Sequence, residues 1–242
     1  HYANTHDYFF GPIKKAVYES AIFVAYFLRN TQITANILTS LNLILWLLFP
    51  LLLLKGDFNL ALLSILLMLA ANWFDFADGV LARVQKKQSR GGGYFDMFVH
   101  AVTYPVFCTC LGYYSYLQTD VFLDIIAGLV IGLWYPYFFL FESLAVFTLV
   151  HHKEPIKYKM GDLRILKTGE KKGLSIKKMI KEITNRIFNL PELFIIFLVV
   201  LILDKIIING LLQVYLYLAA LIAILLVVYK FYKNYKYLKQ FK

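Results

Sequence analysis

The sequence predicts an all-α fold, a polytopic membrane bundle of six transmembrane helices, and three observations predict it. Of its 242 residues, 60% are hydrophobic and only 17% are charged. That charged share is too small to cover the surface of a water-soluble domain of this size. Mean hydropathy is +0.63. The apolar residues gather into six runs, 37–54, 58–76, 95–116, 122–150, 193–208 and 211–229, mostly close to the roughly 20 residues a spanning helix needs. The fourth run carries Pro136 as a possible kink. Pro191 sits at the start of the fifth, where a missing N–H costs nothing. Cys108 and Cys110 lie inside the third run and read as small packing residues.

Charge orients the bundle. Of 25 Lys and Arg residues, 23 fall in the N-terminal segment, the 79–92 turn, the 151–190 loop and the C-terminal tail. Only Lys55 and Lys205 fall on the other side. The positive-inside rule then puts both termini in the cytoplasm, which an even number of crossings satisfies. The net charge of +10 has the same origin. It points to anionic lipid headgroups as the partner, not nucleic acid.

The chain divides into a juxtamembrane segment, 1–34, and a membrane domain, 35–242, interrupted by the polar loop 151–190. Residues 8–28 mix Lys14, Lys15 and Glu19 with Phe9, Phe10, Phe23 and Tyr26. That pattern predicts an amphipathic helix lying in the membrane interface. Residues 175–188 of the loop predict a second surface helix, and the Lys167–Lys172 run reads as an interfacial basic patch. Asn36 and Thr39 offer N-capping oxygens at the entry to the first span. The first residue is His1, and an upstream portion is expected.

The chemistry concentrates in 72–100, NWFDFADGVLARVQKKQSRGGGYFDMFVH. Ionisable residues at membrane depth are costly and mark function by default. Each helical residue turns about 100°, so Asp75, Asp78, Gly79 and Ala82 share one sector. Gly92, Asp96 and His100 are four apart and share a face of the next helix. A short turn joins the two helices, so the faces can meet. Three adjacent carboxylates repel unless neutralised. One or two divalent cations are the natural neutraliser, and oxygen ligands suit Mg²⁺ or Mn²⁺. Such a site can hold a diphosphate. The small residues Gly79, Ala82 and Gly92 allow a ligand or a neighbouring backbone to come close.

The run D-G-x2-A-R-x8-G-x3-D, present as Asp78, Gly79, Ala82, Arg83, Gly92 and Asp96 with Asp75 upstream, resembles the signature of the CDP-alcohol phosphotransferase family. The resemblance implies two divalent metals held by the motif acids, CDP contacts at Asp75, Asp78, Gly79, Ala82, Arg83 and Gly92, and homodimers. It also implies a site on the cytoplasmic side. The chain departs from the pattern where the last acid stands, because His100 replaces it. A histidine titrates near neutral pH and can act as a base. It can also ligate a metal. The reading is transfer of a phosphoalcohol or phosphatidyl group from a CDP-linked donor to an alcohol acceptor, one of the two a lipid, with CMP released. His100 is the catalytic base and a candidate ligand. Arg83 steadies phosphates, and loop residues His151 and His152 read as solvated. The alternative is a non-enzymatic membrane scaffold on the same fold. A transporter is disfavoured, because the third to sixth spans carry few polar residues near the midplane.

Overall fold

The computed structural model describes residues 11–151 and 192–239, with seven α-helices and no strand among them. They are α1 (Gly11–Leu28), α2 (Ala35–Leu48), α3 (Phe58–Val84), α4 (Arg90–Thr119), α5 (Leu123–His151), α6 (Glu192–Ile206) and α7 (Leu211–Leu238). A tight 3₁₀ segment, Phe49–Lys55, prolongs α2 and ends at Gly56, whose φ of 70° is left-handed.

Local chemistry sets the helix ends. Asp57 accepts from the Leu60 N–H and starts α3. Ser89 accepts from the Gly92 N–H and starts α4. Both place a side-chain oxygen over otherwise unpaired amide donors. Asp204 accepts from the Leu212 N–H at the start of α7. α4 ends at Asp120, which turns the chain through φ 57°.

Helices α2 and α3 pack side by side, α1 lies on α3, and α4 packs along α5, which also meets α7. The main core runs through Trp46, Ile65, Met68, Phe107, Leu111, Ile131, Phe194 and Leu216. The closest approach is between α4 and α5. A Cβ on Gly128 would lie 2.3 Å from the Cys108 carbonyl oxygen, and one on Gly112 would lie 2.4 Å from that of Asp124. Only glycine permits that spacing, the small-residue packing of membrane helices. At the motif-distal end, Asp124 is fully buried and accepts from Ser115, Thr119, Gln213 and Tyr217. It thereby ties α5 to α4 and α7.

Four segments among the described residues are long and apolar enough to cross a membrane: Ala35–Lys55, Phe58–Val84, Gly91–Thr119 and Leu211–Lys236. They correspond to the first, second, third and sixth expected runs. The second outlasts its run. α3 has 27 residues, about 40 Å at ~1.5 Å per residue, against a hydrocarbon core of about 30 Å. The helix is therefore longer than the hydrocarbon is thick, and the acids sit in its last turns. α5 and α6 occupy the fourth and fifth runs.

One expectation is corrected. Thr34 is the N-cap of α2, and it makes no side-chain cap bond. Thr39 lies inside the helix and bonds to Asp78 and to the Ala35 carbonyl. Asn36 lies in the first turn, its oxygen facing Gly92. The surface helix expected at 175–188, the Lys167–Lys172 run, His152 and Pro191 fall outside the described residues, as do residues 1–10, which include the first three of the amphipathic segment.

Candidate active site

Two helix ends and one neighbouring helix build the site. The last turns of α3 carry Asp75, Asp78, Gly79, Ala82 and Arg83, and the first turns of α4 carry Gly92, Asp96 and His100. Between them the chain reverses over a few residues. The Lys87 N–H donates to the Ala82 carbonyl, and Lys86 takes a left-handed φ of 56°. The short turn joins α3 to α4, α2 packs against both, and polar side chains bridge the space between the two helices.

At the centre is His100, 9% exposed. Its Nε2 lies 3.2 Å from Asp75 Oδ1 and 3.4 Å from Asp96 Oδ1. The imidazole is held between Trp46 and Tyr135, at ring-centroid distances of 5.3 and 5.7 Å. Its Nδ1 is buried and has no hydrogen-bond partner. Asp75, Asp96 and His100 each offer a donor atom, all within 4.8 Å of one another. Two carboxylates and an imidazole at that spacing fit a divalent metal ion.

Asp78 stands apart from this trio. It is buried at 6% exposure, and its Oδ2 accepts from the Thr39 hydroxyl at 2.5 Å. It lines a cavity of about 250 Å³ with Gly79, Ala82, Arg83, Gly92 and Asp96, closed on the α2 side by Asn36 and Thr39. Asp96 belongs to both the cavity and the trio, so it joins them. The Arg83 guanidinium nitrogens lie beside Gly79, 3.7 and 3.8 Å from where a Cβ would stand, an ordinary contact distance. Gly92 sits against Ser89 Oγ and Asn36 Oδ1, at 3.2 and 3.3 Å from such a Cβ. Gly92 thus lets Ser89 and Asn36 come close at the cavity wall.

Every motif residue singled out in the sequence therefore lies at this site. Asp75, Asp96 and His100 converge, while Asp78, Gly79, Ala82, Arg83 and Gly92 line the adjoining cavity with Asp96. Sequence reasoning missed the contribution of α2. Thr39, Asn42 and Trp46 are buried and spaced three and four apart, a stripe of hydrogen-bonding side chains on a mostly apolar helix. Asn42 Nδ2 donates to Asp75 Oδ1 at 3.3 Å. The stripe was the available signal.

Chemically, the arrangement offers an acid-rich cation site, a neighbouring cavity with a guanidinium at its edge, and a buried imidazole between them and the core. No curated protein matches the chain. The family model for CDP-alcohol phosphatidyltransferase matches residues 32–229, a range that takes in α2 with its stripe and both helix ends of the site. The chain belongs to the CDP-alcohol phosphatidyltransferase family.

Proposed function

We propose that the chain transfers a phosphoalcohol or phosphatidyl group from a CDP-activated donor to an alcohol acceptor, releasing CMP at the cytoplasmic face of its membrane. Family membership supports the reaction class. The observation that carries the reading is the trio Asp75, Asp96 and His100 within 4.8 Å, beside the cavity lined by Asp78, Gly79, Ala82, Arg83 and Gly92.

In this reading Asp75, Asp78 and Asp96 hold Mg²⁺ or Mn²⁺, with His100 at the edge of the same cluster. Bound divalent ions neutralise the carboxylates and stabilise charge on the diphosphate. The cavity takes the CDP portion, its close walls at Gly79, Ala82 and Gly92 gripping a flat or extended ligand. Arg83 donates to phosphate oxygens as a planar, permanently charged group. His100 supplies the base. Its Nε2 faces two carboxylates, which favours the tautomer carrying the proton there, as a carboxylate orients imidazole in hydrolytic triads. The lone pair then lies on Nδ1, the nitrogen without a partner. His100 takes the acceptor's hydroxyl proton once substrate has opened the ring's buried edge, the alcohol oxygen attacks the distal phosphorus, and the bond to CMP breaks.

The same reading has six crossings, with α5 and α6 as the fourth and fifth, α1 at the interface, and the basic turn and termini in the cytoplasm. The asymmetric Lys and Arg distribution supports it.

The test is CMP release by the purified chain in lipid nanodiscs, supplied with a CDP-linked donor, Mg²⁺ or Mn²⁺, and an alcohol acceptor. CDP-diacylglycerol with small polar alcohols and CDP-linked small alcohols with diglyceride cover the two substrate polarities. Turnover with one pairing, lost on chelation and in Asp96→Asn, is the expected result. A chain that binds CDP yet releases no CMP with any pairing contradicts the enzyme reading and favours the scaffold.

A further inference from the structure

We propose that Thr39 and Asn42 of α2 are positioning residues that fix two carboxylates of the cation site; this rests on the metal-holding reading of those acids. The pairing has a register. Thr39 meets Asp78 and Asn42 meets Asp75, so a step of three forward on α2 matches a step of three back on α3. Antiparallel helices give that match, so the two contacts form one device.

Each contact constrains a particular oxygen. Asn42 Nδ2 donates to Asp75 Oδ1, the same oxygen that faces His100 Nε2. Two donors on Oδ1 leave Asp75 Oδ2 as the oxygen free to face a cation. Thr39 has one hydroxyl proton and two acceptors within reach, Asp78 Oδ2 at 2.5 Å and the Ala35 carbonyl at 3.0 Å. The charge-assisted bond to the carboxylate is the stronger. It pins Oδ2 against α2 and turns Oδ1 away from that helix.

Polar contacts between membrane helices also act as simple glue, and Asn42 argues against that role alone. It is wholly buried, and its Oδ1 has no hydrogen-bond partner. An unpaired buried amide oxygen is unfavourable. Leucine of similar size would remove that cost, so Asn42 serves stability poorly. Its use lies in the hydrogen bond to Asp75.

The experiment measures Mn²⁺ binding by electron paramagnetic resonance, and thermal stability in parallel, on the full chain in nanodiscs. Outer-shell partners of metal ligands typically contribute about 10–100-fold in affinity. Asn42→Leu should weaken Mn²⁺ binding by that factor with its unfolding temperature unchanged or raised. Thr39→Val should weaken it likewise, and Thr39→Ser, which keeps the hydroxyl, should restore it. Wild-type affinity in Asn42→Leu and Thr39→Val overturns the proposal while leaving the cation site intact. Weakened binding that tracks a fall in unfolding temperature, without rescue by serine, assigns the pair to glue and overturns it too. A wild-type chain that binds no Mn²⁺ removes the metal-holding reading itself.

Discussion

At the scale of single residues, His100 is the one imidazole in a cluster of acids, and its surroundings suit the role proposed for it. A neutral histidine there adds no negative charge to a cluster that already holds three carboxylates. It also places a ring nitrogen within 3.4 Å of two of them. His100→Ala is expected to lower the turnover number by about 10²–10⁴-fold, the usual contribution of a general base. His100→Asp should retain measurable turnover. The check is CMP release under saturating donor, and near-normal turnover of His100→Ala would refute the base assignment. Arg83 should behave differently. It stands at the cavity and not in the trio, so Arg83→Gln should raise KM for the CDP donor about tenfold with the turnover number nearly unchanged, the pattern of lost uniform binding.

The motif residues were legible because helical periodicity alone puts Asp75 and Asp78 on one face and Asp96 and His100 on another. Periodicity did not show that Asp78 pairs with Thr39 and stands outside the trio. That depends on which neighbour α3 packs against. The same limit explains Thr39 itself. Near the start of an apolar run a threonine suggests a cap, and only the register of α2 on α3 reveals that it faces a carboxylate.

At the scale of elements, four of the six expected runs are segments long and apolar enough to cross a membrane. Hydropathy finds such elements because lipid demands a continuous apolar stretch with its backbone bonds satisfied internally. It is silent about how they pack. Gly112 and Gly128 look unremarkable in apolar sequence, yet they set the α4–α5 spacing. Gly128→Val would drive carbon atoms into the Cys108 carbonyl. Overpacking of this kind costs about 1–3 kcal/mol, and a lowered unfolding midpoint in a fixed detergent would register it. An unchanged midpoint would show that α4 and α5 lie further apart than described. The Asp124 network was hidden for a related reason. One acid at the end of a run reads as solvated, although here four side chains from two neighbouring helices close around it.

At the scale of the whole molecule, the proposed topology rests on charge asymmetry and the length of α3. The helix is long enough for its acid-bearing turns to emerge from the hydrocarbon on the side where Lys86 and Lys87 lie. Lys55, at the other end of α3, then belongs to the opposite surface. Both Lys55 and Lys87 are exposed, and the native Cys108 and Cys110 are buried. In sealed vesicles whose outer face is the non-cytoplasmic side, an impermeant maleimide should therefore label Lys55→Cys, and should reach Lys87→Cys only after permeabilisation. Labelling of both from one side would overturn the topology.

The central claim is that carboxylates from two neighbouring helix ends converge on divalent cations that grip a nucleotide diphosphate. Anomalous diffraction at the manganese edge, from crystals of the chain grown with CDP and Mn²⁺, tests it most directly. The account predicts a manganese peak within coordination distance of oxygens from Asp75 and Asp96, on the side facing the Asp78 cavity, with CDP phosphate oxygens completing the shell. CDP bound in that cavity with no manganese near those carboxylates would contradict it.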